Sequence, residues 1–272
     1  MKTSKPSPTD ERPRLQIAVA THKRYRMPEQ PCYFPLHVGR RRNGSLKGYA
    51  GDDTGVNISE KNPSFCELTG LYWMWKNTDS DYLGMVHYRR YFRSGRKGLR
   101  GSKMDRILRE EEALRLLETS SVLLPKKRHY VIETLYSHYS HTHYAEHLDC
   151  MRRILQEKSS AYVEAFDRVM KRRSAHMYNM FIMERSTCDA YCRWLFPLLM
   201  ELEDRTKAND YSAYQARLVG RVGELMLDVW IEKNQVAFRE LPVLYMEKIN
   251  WWNKGTAFLK AKFLGEKYKG SF

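Results

Sequence analysis

Short apolar runs that alternate with helix-patterned stretches restrict this chain to an α/β architecture. Residues 15–20 (LQIAVA) form one such run, set between a charged leader and Thr21, His22 and Lys23, as a buried parallel strand is. Residues 82–86 (YLGMV) and 121–125 (SVLLP) repeat the pattern, and 177–183 (MYNMFIM, carrying Asn179) and 240–245 read as further strands. Apolar positions with a period near 3.6 predict helices over 59–77, 105–118, 147–158, 161–171, 188–203 and 214–232. Residues 35–55, rich in Gly, Arg and Asn, read as one long loop. The alternation predicts a mixed, largely parallel sheet flanked by helices.

Composition narrows the partners. A chain of 272 residues is long enough for one large α/β domain, here expected over 15–250. No apolar stretch approaches the roughly 20 residues of a membrane-spanning helix. Residues 1–14 are polar and lack a secretory core, so they read as a disordered lead-in to a cytoplasmic protein. Five cysteines, an odd number, with Cys188 and Cys192 at helical spacing in an apolar stretch, read as reduced and structural. The formal net charge of +15 selects for polyanions: nucleic acid, an anionic bilayer, or phosphorylated substrates. A basic nucleic-acid-binding protein is therefore the rival reading. It lacks a recognised motif, and its lysines and arginines are spread along the whole chain.

Four groups of residues could carry chemistry. His87-Tyr88-Arg89-Arg90 follows a strand directly, so that extended alternation would put His87 and Arg89 on one face and Tyr88 and Arg90 on the other. Arginines there could bind a diphosphate bidentately, or pair with a core carboxylate. Asp52 and Asp53, flanked by glycines, could bind a divalent metal (Mg or Mn), hold sugar hydroxyls or act as a base, or could simply make a turn. The histidines His138, His141, His143 and His147 interleave with Tyr136, Tyr139 and Tyr144. This mixture suits sugar contact or a structural role, and the spacing of His143 and His147 would put both on one face of a helix, as a metal pair requires. Arg217, Arg221 and Glu224 lie along one helix face, with Glu224 either a catalytic base or part of a salt-bridged surface.

At these residues the sequence resembles a known family. GDDTGVNISEKNPSFCELTGLYWMWKN, YLGMVHYRRYF, SHYSHTHYAEHLD, SAHMYNMFIM and QARLVGRVGELMLDVWI occur in order. They are similar to a bacterial family catalogued as domain of unknown function 4422, whose members are regarded as glycosyltransferases of capsule and exopolysaccharide synthesis, some of them galactosyl or galactofuranosyl transferases. The resemblance implies a GT-A-like nucleotide-sugar fold, a UDP-sugar donor, and a glycan or lipid-linked glycan acceptor. It implies donor contacts from Thr21, His22, Lys23, Asn57, His87, Arg89 and Arg90, and acceptor contacts from His138, His143 and Asn179. The base would be Glu224, Asp52 or Asp53. Where such folds carry an Asp-x-Asp metal motif this chain has His87 to Arg90, so cations are expected to replace the metal unless Asp52 and Asp53 supply one. The chain departs from the family at Val56, commonly Asp, and at Leu225, commonly Arg. Residues 251–272, basic and aromatic, would suit the inner face of an anionic membrane or form a solvated tail.

Overall fold

The computed structural model describes residues 13–96, 101–206 and 211–247. Most of the expected lead-in, the whole basic aromatic tail and part of the basic loop after Gly95 lie outside these described residues. The strands are β1 (Leu15–Thr21), β2 (Tyr33–His37), β3 (Ala50–Gly51), β4 (Tyr82–His87), β5 (Arg90–Phe92), β6 (Val122–Pro125), β7 (Arg128–His129), β8 (Ser174–Ala175), β9 (Phe181–Glu184), β10 (Phe238–Leu241) and β11 (Val243–Tyr245). The helices are α1 (Arg40–Asn43), α2 (Asn62–Phe65), α3 (Leu68–Asn77), α4 (Glu110–Leu117), α5 (Leu135–Thr142), α6 (Ala145–Lys158), α7 (Val163–Lys171), α8 (Arg185–Thr206) and α9 (Leu218–Asn234).

The main sheet has the order β10-β6-β9-β4-β1-β2-β3. β9 runs antiparallel to both neighbours, and the other paired strands of this path are parallel. This is the expected mixed, largely parallel sheet flanked by helices. Strand alternation assigns the two faces. Ala18, Ala20, Leu83 and Met85 face a core built from α3 and α5 to α9, whereas Ile17, Val19 and Val86 face a smaller core capped by Ile107, Leu108, Ala113 and Leu117. Gly84 sits between them because a Cβ there would come within 2.9 Å of Ile17 and 3.0 Å of Ile182 on the flanking strands.

Four local expectations change. The 35–55 stretch is no plain loop: β2 pairs in parallel with β1, with Pro35 opposite Val19. Proline is tolerated because β3 pairs only with Leu36 and His37, so the outer edge is open at Pro35. The 59–77 helix is broken at Cys66, whose φ of 54° separates α2 from α3. The strand through His87 does not continue to Tyr91. Tyr88 and Arg89 form a turn, and β5 returns antiparallel with Arg90 opposite His87. Finally, Asn179 precedes β9 instead of lying within a strand. None of the described helices is long and apolar enough to cross a membrane.

Candidate active site

The C-terminal ends of β1 and β4 open onto a cleft of about 1150 Å3. Parallel strands deliver side chains to this edge, where α/β sheets bind ligands. β1 brings Thr21, His22 and Lys23, and the β4–β5 turn brings His87, Tyr88, Arg89 and Arg90. Thr21 is buried, and its hydroxyl donates to the Lys23 carbonyl at 2.7 Å, curling the chain out of the strand. Tyr88 is the hub of this wall: His22 meets its ring edge-on at 5.4 Å, Lys23 Nζ lies 5.4 Å from the ring centre and the Arg89 guanidinium 5.2 Å. Burial and the charges of Lys23, Arg89 and Arg217 hold His22 below the usual histidine range.

Arg90 lies 4.6 Å over the Tyr178 ring, and Arg128, Arg217 and Arg221 add further positive charge from β7, the turn before α9, and α9 itself. Arg221 donates to the Tyr214 carbonyl at 2.5 Å and stands 4.3 Å over that ring. Arg217 Nε donates to Cys66 Sγ at 3.2 Å. Arginines held this way present a preorganised field for an anion.

Two carboxylates, Glu67 and Glu224, line the same cleft. They meet there because α9 packs close to the α2–α3 break. A Cβ on Gly220 would come within 3.1 Å of Cys66 and the Phe65 carbonyl, and one on Gly223 within 2.6 Å of Leu68. Glu67 accepts from Asn179 Nδ2 at 2.7 Å, and the same amide donates to the Gly220 carbonyl at 3.2 Å. Tyr178 and Asn179 are consecutive left-handed residues, with φ of 82° and 49°. That conformation turns the Tyr178 carbonyl to His87 Nε2 and the Asn179 amide to Glu67. Burial, with the nearby Arg90 charge, keeps the His87 ring below its ordinary pKa. Glu224 is half-buried, and no described residue donates a hydrogen bond to its carboxylate. Burial first, then the like charge of Glu67, pushes its pKa up to about 7.

The third wall is the histidine segment. His138 and His143 both line the cleft. His138 Nδ1 meets Glu133 at 3.1 Å, and His143 Nδ1 meets Gln215 at 2.9 Å. Burial brings them down to about 4 and about 3, so both rings are neutral at neutral pH. The expectation of a helical His143–His147 pair is corrected: His143 terminates α5, His147 lies within α6, and His147 Nδ1 is taken by the Tyr139 hydroxyl at 3.0 Å.

Asp52, Asp53, Asn57 and Asn179 stand outside the cleft lining, as do His141 and His147. Asp52 is fully buried and accepts from the Gly39 and Arg40 amides at 2.8 and 3.1 Å, and from the Ser59 and Thr69 hydroxyls at 2.5 and 2.6 Å. Asp53 pairs with Arg40 at 3.5 Å. Asn57 closes a local turn, donating to the Gly55 carbonyl and accepting from the Ser59 amide. Asn179 is buried behind the lining, where its amide donates to Glu67. Asp52 and Asp53 therefore do not fit a divalent ion, since the first has its lone pairs filled and the second faces an arginine. Among the described residues no group of three or more His, Cys, Asp or Glu could hold a metal ion. Sequence reasoning missed Glu67, Arg128 and Tyr178 as cleft residues. The Gly220-x-x-Gly223 spacing, a sign of close helix approach, was the available signal for Glu67.

The family described as Domain of unknown function (DUF4422) matches residues 16–235. The solved apo structure of the bifunctional glycosyltransferase WbbM is similar, with a TM-score of 0.80 and 30% sequence identity over 86% of this chain. The match covers 45% of that chain, so this protein spans less than half the length of its structural relative. No curated protein matches significantly.

Proposed function

The chain belongs to the DUF4422 family, and from that premise and its cleft we propose that it is a glycosyltransferase acting on a nucleotide-sugar donor. One observation carries the reading: a cationic wall at the ends of β1 and β4 faces a carboxylate with raised pKa across a single cleft. Likeness to a glycosyltransferase over 86% of the chain supports it.

In this reading Lys23, Arg89 and Arg90, with Thr21, His22 and His87 beside them, receive the donor diphosphate. An acceptor hydroxyl oxygen bonds to the anomeric carbon as the bond from that carbon to the diphosphate breaks. The hydroxyl proton passes to Glu224, and the departing diphosphate leaves its new charge among the arginines. Asn179 holds Glu67, and Glu67 keeps the Glu224 carboxyl ready to take a proton near neutral pH. His138 and His143, neutral and beside Tyr139 and Tyr130, suit the hydroxyls and apolar faces of an acceptor sugar. UDP-galactose and UDP-galactofuranose are the first donors to test, with a glycan or lipid-linked glycan of capsule, exopolysaccharide or O-antigen type as acceptor.

Titration calorimetry over a panel of nucleotide sugars, followed by nucleotide release with acceptor present, tests this directly. Binding of at least one UDP-sugar, weakened by Arg90→Ala, is expected. No binding across the panel, together with tight and salt-sensitive binding of DNA or RNA, would sink it.

A further inference from the structure

Beside the cleft the chain forms a small ribbon, β7 paired antiparallel with β8, and then a tip at Val131 and Ile132. These two consecutive residues are 83% and 59% exposed. Single exposed aliphatic residues are ordinary on a soluble surface. Two in succession on a braced tip are not. The tip is held from both sides: the Tyr130 amide donates to the Arg173 carbonyl at 2.7 Å, the Leu135 amide to the Arg172 carbonyl at 2.7 Å, and Arg173 Nη1 to the Val131 carbonyl at 3.4 Å. Little conformational freedom is left to lose when this tip meets a partner.

Lysines and arginines flank the two aliphatic residues along the chain and on the segment hydrogen-bonded to them. Lys126, Lys171 and Arg173 are exposed, Arg173 reaches the Val131 carbonyl, and Lys127 lies 5.7 Å over the ring of Phe238, itself 38% exposed. The neighbouring acids are occupied. Glu133 is buried and turned to His138 and His141, Glu232 pairs with Arg168 and Arg172, and Glu240 meets His176. Exposed aliphatics beside exposed cations match the boundary between acyl chains and anionic headgroups, where the aliphatics insert and the cations pair with phosphate. A nucleic acid would use the cations and leave the aliphatics wasted.

We propose that the Val131–Ile132 tip docks this protein on an anionic lipid bilayer, with the mouth of the cleft facing the membrane. The placement follows from the chain itself: Arg128 and Tyr130 before the tip, and Leu135 and His138 after it, line the cleft. Resting on the glycosyltransferase reading, this favours an acceptor presented from the bilayer, its sugar reaching the His138 wall while its anchor stays in the lipid. The docking surface itself stands without that reading.

The test uses the full chain and sedimentation with vesicles of phosphatidylcholine alone or with about a third phosphatidylserine. Binding to the anionic vesicles, falling with salt, is expected. The double variant Val131→Asp/Ile132→Asp should weaken it by at least about tenfold, and Lys126→Glu/Lys127→Glu by a similar factor. None of these four residues lines the cleft, so nucleotide-sugar binding by calorimetry should stay unchanged in both variants, which separates failure of the docking surface from failure of the enzymatic reading. Parent protein that ignores anionic vesicles, or an aspartate variant that binds them as tightly as the parent, overturns the proposal. So does a self-association in solution that the aspartate variant abolishes in the absence of vesicle binding.

Discussion

Asp52, fully buried, and Glu224, half-buried at the cleft, are both carboxylates in the folded interior, yet their surroundings are opposite. Asp52 accepts four hydrogen bonds and ties the Gly39–Arg40 turn, Ser59 and α3 into one knot. Glu224 has none from the described residues, faces a cleft and sits near Glu67. A carboxylate whose lone pairs are satisfied holds structure, because removing it strands its donors. A carboxylate left unsatisfied beside a like charge is costly to ionise and is poised to take up a proton.

The contrast can be broken most sharply at Glu224. Glu224→Gln keeps shape but cannot accept a proton, so turnover should fall by roughly 10²- to 10⁴-fold in a nucleotide-release assay while donor affinity by calorimetry holds. Retained turnover would return Glu224 to the class of Asp52. Asp52→Asn should do the reverse. Trading an acceptor oxygen for a donor opposes at least one of its four donors, costing about 3 kcal/mol and lowering the thermal midpoint by roughly 10 °C, with per-molecule activity kept below that midpoint. Smaller in effect, the pH dependence of kcat/KM should show an acid limb near 7, with activity lost as Glu224 is protonated. Glu67→Gln removes the like charge and should move that limb to lower pH, whereas a limb that stays put would mean that burial alone sets it.

A further expected effect concerns the pH dependence of stability. His143 and His147 are buried with pKa values lowered to about 3 and about 4, against about 6.5 when unfolded, with burial the main cause in both. Between those values the unfolded chain binds more protons than the folded one, so stability should drain away as pH falls from about 6.5 towards 4. Calorimetric midpoints across that range, with His147→Gln flattening the slope, would check it.

The strands at 15–21, 82–87 and 122–125 were legible because buried parallel strands are continuous apolar runs. So was the delivery of Thr21 to Lys23 and His87 to Arg90 to one sheet edge. β2 was hidden by Pro35, whose tolerance depends on how far a neighbouring strand extends, a fact of tertiary structure. The glycine-flanked aspartates misled for a related reason: composition shows a carboxylate in a loop but not the donors that converge on it from residues 39, 40, 59 and 69. Glu67 had no signal of its own. Its role depends on a break at Cys66, on two glycines about 150 residues further along, and on an asparagine from a third element.

The left-handed pair at Tyr178 and Asn179 has a consequence for anyone who wants a hardier protein. Asparagine tolerates that conformation, but tyrosine adopts it at a cost on the order of 1–3 kcal/mol. Tyr178→Gly would relieve that cost, but it would also remove the ring beneath Arg90, its packing on the smaller core and its hydroxyl bond to Tyr245. Truncating a packed aromatic costs about 3–5 kcal/mol, so selection for heat resistance alone should keep the tyrosine and its strained backbone. The kink is held in place by the contacts that it makes possible.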